Sequence, residues 1–170
     1  MSAPVSLVPG NYVIFAEDPS GTTSSVVGRS NFAVTSPLSS GASFTLTSLT
    51  AASSAGPTQL VLVTGEGMIL SQANGSGQLG QSPTFYASFS NNSQNIVTTN
   101  APASPSPSTK FVIHVNQTGP SNHSDALCYL TTIMTADLSD QYWTVDALRA
   151  NNNVEAGTKR SATNWVFVPV

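Results

Sequence analysis

The sequence predicts an all-β fold, and three observations favour it. Ser, Thr, Asn and Gln are abundant, and their side chains compete with helical backbone hydrogen bonds. No stretch of ten or more residues shows the 3.6-residue periodicity of an amphipathic helix. Instead, short runs of β-branched and aromatic residues alternate with polar ones, as from Tyr142 to Ala147, and turn residues separate the runs. We therefore expect many short strands joined by hydroxyl-rich loops.

Three weakly similar units predict a β-trefoil, with a β-sandwich or jelly roll as the alternative. Each unit contains an Asn-led strand followed by a strand that opens with an aromatic residue. The pairs are Asn31 with Phe44, Asn95 with Phe111, and Asn153 with Trp165. Because 64 residues separate Asn31 from Asn95 and 58 separate Asn95 from Asn153, the spacing is typical of a repeat architecture. The units are expected at roughly 10–50, 58–116 and 126–170 within one domain spanning 1–170.

The individual strands are predicted between turn signals. The first runs from Gly10 to Glu17 and ends at Asp18-Pro-Ser-Gly. Further strands are expected at 24–29, 32–35, 44–49, 60–64, 68–71, 85–89, 95–98, 111–115, 127–133, 142–147, 154–156 and 165–168. The segment 51–58 consists of small residues and is interpreted as a linker, and 117–125 is interpreted as a loop.

Charge, apolar run length and cysteine content exclude several function classes. The net charge is −3 and the five cations are scattered, whereas nucleic-acid binding needs a clustered basic surface. The apolar runs are too short to span a membrane. The sequence shows no secretion signal at its start, and Cys128 is the single cysteine. These features predict a reducing, cytoplasmic location with no nucleic-acid or membrane partner, and they leave the oligomeric state open.

No residue pattern predicts an enzyme, a cofactor or a metal site. The run 121–125 contains Ser, His and Asp, but the members of a catalytic triad converge from separate elements rather than from one loop. His114, His123 and Cys128 lack the spacing of zinc ligands. The carboxylates form no pair at matching repeat positions, as a glycosidase would require. A non-enzymatic protein is therefore expected.

Loops on a rigid β scaffold commonly carry binding function, and the loop around Arg29 is the strongest candidate. An exposed Arg between small residues suits the specificity pocket of a trypsin-like protease, because the guanidinium forms a forked pair with a carboxylate. The protease-binding loop is expected to comprise Gly28, Arg29, Ser30 and Asn31. Arg149, in the loop interpreted as its equivalent in the third unit, is a second candidate. The plain alternative for Arg29 is a solvated cation in a turn.

Three segments resemble the small β-trefoil proteins of mushroom fruiting bodies. The segments are Val8-Pro-Gly-Asn-Tyr-Val-Ile, Val27-Gly-Arg and Trp165-Val-Phe. This group includes the cospin-like (mycospin-type) serine protease inhibitors and the ricin-B-like lectins, so the resemblance implies a cytosolic fungal defence protein. Similarity to the inhibitors implies that Arg29 is the specificity residue and Arg29–Ser30 the reactive peptide. The Gln-x-Trp typical of the lectins is replaced at all three unit ends, which argues against a galactose-type site.

The alternative function is that of a carbohydrate-binding lectin. Sugar sites combine an aromatic face with side chains that form hydrogen bonds to hydroxyl groups. The second and third units could supply such groups from Tyr86, Asn91, Asn95, Trp143, Asp146 and Asn153. A third possibility is a structural coat or surface domain of the jelly-roll type. The expected partner is thus a serine protease or a glycan.

Overall fold

An antiparallel sheet that nearly closes on itself dominates the molecule. The computed structural model describes residues 6–17, 31–74, 76–79, 85–90, 94–100, 108–121, 124–136 and 140–170. In these residues the strands are β1 Gly10–Ala16, β2 Phe32–Thr35, β3 Thr45–Ser48, β4 Val61–Val63, β5 Ile69–Ser71, β6 Phe85–Phe89, β7 Ile96–Asn100, β8 Phe111–Ser121, β9 Ser124–Thr135, β10 Tyr142–Thr144, β11 Glu155–Gly157 and β12 Trp165–Pro169. Short 3₁₀ turns lie at Ala52–Ser54, Pro57–Gln59 and Lys159–Ser161. The all-β prediction is confirmed, and the strand predicted at 24–29 lies outside the described residues.

β1 and β12, the first and last strands along the chain, pair with each other and are buried on both faces. Ile14 lies opposite Phe167, and Phe15 lies opposite Val166. Successive side chains of a strand point to opposite faces, so Ile14 and Phe167 enter one cluster while Phe15 and Val166 enter another. Burial on both faces explains why these strands are apolar runs without polar alternation.

We call the two clusters the inner core and the outer core. The inner core is enclosed by the sheet and includes Tyr12, Ile14, Phe44, Ile96, Trp143, Val154, Trp165 and Phe167. The outer core consists of Val13, Phe15, Ala33, Leu49, Ala52, Cys128, Val166 and Val168. Many strands contribute to the inner core, whereas the connection between β3 and β4 covers part of the outer core.

Three hairpins meet at a triangle of backbone hydrogen bonds. The hairpins are β2–β3, β6–β7 and β10–β11. The amide of Phe44 donates to the carbonyl of Ile96 at 2.9 Å, Ile96 donates to Val154 at 2.9 Å, and Val154 donates to Phe44 at 2.8 Å. All three residues are fully buried, so the triangle satisfies backbone groups that water cannot reach. It also fixes the hairpins relative to one another.

The connection 51–58 is a covering layer rather than a free linker. Its first 3₁₀ turn inserts Ala52, which is buried in the outer core. The carbonyl of Thr58 accepts a hydrogen bond from the amide of Ser36 at 2.9 Å, and Gln59 donates its side-chain amide to the hydroxyl of Thr47 at 2.8 Å. Small residues are present here because they pack closely against a sheet face.

The segment predicted as a loop at 117–125 instead extends a long hairpin. Residues 117–121 continue β8 and residues 124–125 belong to β9. Thr118 pairs with Tyr129 and Gly119 with Cys128, with register shifts on either side of these pairs. The loop prediction was wrong because polar residues are compatible with a strand when the neighbouring strand satisfies the backbone. Gln117 and Pro120 are exposed, whereas Ser121 is buried.

No helix in the described ranges has the length and apolar character needed to cross a membrane.

Candidate functional site

Described residues on either side of the predicted protease-binding loop are fixed by backbone hydrogen bonds. Gly28, Arg29 and Ser30 lie outside the described residues, whereas Asn31 is described and exposed. At one end the amide of Glu17 donates to the carbonyl of Asn164 at 2.9 Å, and at the other the carbonyl of Asn31 accepts from Leu49 at 2.9 Å. The connection from Glu17 to Asn31 is therefore held at both ends.

The second predicted arginine, Arg149, lies in a tight turn. Its side chain is exposed, but its amide donates to the carbonyl of Ala147 at 3.0 Å and its carbonyl accepts from the amide of Asn152 at 3.3 Å. Asn152 also donates its side-chain amide to Ala147 at 2.8 Å, and Asn151 has a φ of 70°. The turn is well fixed, but its backbone is folded back on itself rather than extended like a protease substrate.

The loops around Arg29 and Arg149 connect different strand pairs. Asn31 directly precedes β2, whose partners are β1 and β3. Arg149 lies between β10 and β11, which pair with each other. The predicted equivalence of the two loops is therefore wrong. The error arose because Asn31 was aligned with Asn95 and Asn153, although Asn31 precedes the first strand of its hairpin and the other two precede the second.

Two of the residues predicted to bind sugar use their side chains for contacts within the protein. Trp143 is fully buried, and its ring forms edge contacts with Phe111 and Trp165 at centroid distances of 5.3 and 5.8 Å. It cannot stack on a ligand, so this prediction is corrected. The side chains of β10 alternate between two faces as predicted. Trp143 lies on the face that points into the core. Asn95 donates its side-chain amide to the hydroxyl of Ser43 at 2.9 Å.

Three of the remaining residues predicted to bind sugar are described by the structure. Tyr86 is a half-buried residue of β6, paired with Thr99 of β7. Asn153 is exposed and pairs with Thr45 in an isolated bridge. Asp146 is exposed after β10, and Asn91 lies outside the described residues. Tyr86 therefore lies on a different hairpin from Asp146 and Asn153, which share the connection between β10 and β11.

Two cavities share the segment that joins the third 3₁₀ turn to β12. The acidic pocket, of about 300 Å³, is bordered by Glu17 and Asp146 together with the apolar side chains of Val145 and Leu148. The second cavity, which we call the β8–β9 groove, measures about 470 Å³. Ala162 and Asn164 border both. Both volumes fall in the range of small-molecule sites, about 300–1,000 Å³.

The β8–β9 groove is built on the outward face of the long hairpin. Phe111 and Ile133 point into the inner core, so the alternate positions point outward. Those positions are Val112, His114 and Asn116 on β8, and Thr132 and Met134 on β9. The register places Val112 opposite Met134 and His114 opposite Thr132.

A second wall of the groove comes from elements distant in sequence. Tyr142 of β10 pairs with Met134 and is half-buried. Lys159 belongs to the third 3₁₀ turn and is exposed, and Asn164 precedes β12. The sequence showed that His114 lies on a strand, but it gave no signal that Lys159 and Tyr142 lie beside it.

The two cavities differ in charge. Two carboxylates border the acidic pocket, and Asn164 directs its side-chain amide toward the Glu17 carboxylate at 3.5 Å. The described residues that line the β8–β9 groove include Lys159 and His114 but no acidic residue. In the described part of the chain, no three His, Cys, Asp or Glu side chains cluster as metal ligands would.

No protein-family model matches the chain, and no curated protein matches it at a significant level of similarity.

Proposed function

We propose that this protein is a β-trefoil that inhibits a trypsin-like serine protease through the loop carrying Arg29. The trefoil is supported by the way in which each hairpin joins the sheet. β2 pairs with β1 and β3, β6 with β5 and β7, and β10 with β9 and β11. The cyclic hydrogen bonds among Phe44, Ile96 and Val154 are what a threefold axis through the hairpins would produce.

The anchoring of the residues that flank Arg29 is the observation that supports the inhibitor proposal. Backbone hydrogen bonds fix Glu17 and Asn31, the described residues on either side of the segment that carries Arg29. A loop with fixed ends loses less conformational entropy when it enters a protease cleft than a free peptide does. Within the cleft, the Arg29 guanidinium would form a forked, charge-assisted pair with the carboxylate of the specificity pocket. The resemblance to the mushroom inhibitors points to the same residue.

Arg149 is the less suitable of the two arginines because of its backbone. A serine protease places the carbonyl of the specificity residue in its oxyanion hole. The Arg149 carbonyl already accepts a hydrogen bond from Asn152, so the turn would have to open before it could bind in that way.

The proposed protein acts by binding alone and performs no chemistry. We place it in the cytosol as a defence protein, consistent with the single cysteine, which rules out an intrachain disulfide. Carbohydrate binding through the six predicted residues is supported less well, because Trp143 is in the core and Asn95 bonds to Ser43.

The proposal is tested by titrating trypsin with the wild-type protein, Arg29→Ala and Arg149→Ala. We expect stoichiometric inhibition by the wild type and by Arg149→Ala, and an inhibition constant raised about 100-fold or more by Arg29→Ala, as for the loss of a central binding residue. Arg149→Ala is the matched control because it removes an exposed arginine of the same charge. No inhibition by micromolar wild-type protein, or equal inhibition by Arg29→Ala, would refute the proposal.

A further inference from the structure

We propose that the β8–β9 groove binds a sugar acid, a polyhydroxylated ligand that carries one carboxylate. This site is distinct from the Arg29 loop and from the residues first considered for sugar binding, and it does not depend on protease inhibition.

The charge around the groove favours an anionic ligand. The protein as a whole is acidic, with a net charge of −3. Lys159 nevertheless lines the groove, and its side chain is exposed. His114 adds an imidazole, and the described lining residues include no carboxylate that would compete for the lysine or repel an anion. The Lys159 ammonium is therefore placed to bind a ligand carboxylate.

The uncharged polar side chains favour a ligand rich in hydroxyl groups. Asn116 offers a carbonyl acceptor and an amide donor, and Thr132 offers a hydroxyl that does both. The Asn164 amide also donates to Glu17, which leaves its carbonyl and a second N–H for a ligand. A sugar hydroxyl also donates and accepts, so each can be satisfied by such neighbours. A simple carboxylate or an inorganic phosphate would leave most of these groups without a ligand partner.

The apolar parts of the groove suit the C–H face of a sugar ring. Val112 and Met134 lie opposite each other across the hairpin, and Val112 is 47% exposed. The half-buried ring of Tyr142 lies next to Met134. Together they form a patch with an aromatic member and a polar rim, the usual composition of a small-molecule site.

The test is a titration followed by ¹H–¹⁵N NMR with four probes: glucuronate, glucose, acetate and inorganic phosphate. Glucose has the hydroxyl groups without the carboxylate, and acetate has the carboxylate without the hydroxyl groups. We expect glucuronate to shift the amide signals around Asn116, Thr132 and Asn164, with a dissociation constant on the order of 1 mM because the site is open. The other probes are expected to shift these signals far less.

Four variants test the assignment of roles. Lys159→Gln removes the cation and Asn116→Asp adds a carboxylate at an exposed position, and each should weaken glucuronate binding about tenfold. Arg160→Gln makes the same charge change at the next residue, which does not line the groove, and should leave the affinity unchanged. Arg29→Ala should also bind glucuronate normally, which separates this proposal from protease inhibition.

Several outcomes would overturn the proposal. If glucose bound as tightly as glucuronate, the carboxylate would not be recognised. If acetate or phosphate bound as tightly as glucuronate, the hydroxyl groups would not be recognised. Absence of glucuronate shifts at millimolar concentration, or equal weakening by Arg160→Gln and Lys159→Gln, would also contradict it. The amide spectrum of each variant without ligand reports directly that it is folded.

Discussion

The two faces of β1 and β12 are buried by different parts of the molecule. The inner face packs against residues from strands throughout the sheet, including Trp143 of β10 and Phe44 beside β3. The outer face packs partly against the β3–β4 connection, which contributes Leu49 and Ala52. The inner core therefore depends on closure of the whole sheet. The outer core depends in part on one segment that can shift without breaking strand pairing, so equal substitutions should cost more on the inner face.

The largest effect is expected from removing a phenylalanine on each face. Phe167 on the inner face and Phe15 on the outer face are both fully buried. Phe167→Ala should lower the free energy of unfolding by about 4 kcal/mol and Phe15→Ala by about 3 kcal/mol, since small residues of the covering layer can move into the outer cavity. Urea unfolding measures both values. If Phe15→Ala lowered the free energy of unfolding more than Phe167→Ala, the outer core would be the more rigid of the two cores.

A charge placed in the covering layer should have the next largest effect. Ala52 is buried in the outer core, and its neighbour Ser53 is exposed. Ala52→Asp should destabilise the protein by about 2 kcal/mol because it buries a polar group without a partner. Ser53→Asp adds the same charge in the same turn and should have little effect. Similar unfolding midpoints for the two variants would mean that the segment 51–58 does not pack as described.

Substitutions of the two tryptophans of the inner core should differ less in their effect on stability. The indole N–H of Trp165 donates to the carbonyl of Trp143 at 3.3 Å, whereas the buried indole N–H of Trp143 has no hydrogen-bond partner among the described residues. Trp165→Phe should therefore cost about 1 kcal/mol more than Trp143→Phe, because only the first removes a hydrogen bond. The Trp143 carbonyl keeps a second donor, the amide of Thr163 at 3.2 Å. Unfolding of both variants in urea gives the difference, and the reverse order would contradict the hydrogen-bond assignment.

Each core contains one ionisable side chain that should affect the free energy of unfolding at alkaline pH but not at neutral pH. Burial, with a smaller contribution from nearby Tyr129, raises the pKa of Tyr12 in the inner core from 10.0 to about 12. Burial also raises the pKa of the Cys128 thiol in the outer core above 9.0, against an opposing effect of hydrogen bonding with Ser121. The folded protein thus retains both protons at a pH where the unfolded chain loses them.

The free energy of unfolding should therefore fall as the pH rises above about 9, first through Cys128 and then, between 10 and about 12, through Tyr12. Tyr12→Phe should flatten the curve above pH 10, and Cys128→Ala should flatten its beginning. The measurement is urea unfolding at a series of pH values. An unchanged slope above pH 10 in Tyr12→Phe would exclude this assignment.

Local sequence patterns identified most of the strands. The alternation around Tyr142 and in Phe111–Val115, and the apolar runs of β1 and β12, were sufficient because side-chain direction in a strand has a period of two. The ends of elements were predicted less well. Polar residues extend β8 and β9 beyond the expected bounds, since a partner strand can satisfy a backbone whose side chains are solvated.

The sequence by itself determined that the chain is all-β, that Tyr142 and Trp143 point to opposite faces, and that His114 lies on a strand. Only the tertiary structure decided that Trp143 faces the core, because a period of two does not say which face the sheet encloses. The same holds for the small residues of 51–58, which cover the outer core only because β1 and β12 pair beneath them. Lys159 and His114, far apart in the chain, border one groove for the same reason: sheet closure, not local pattern, determines which elements become neighbours.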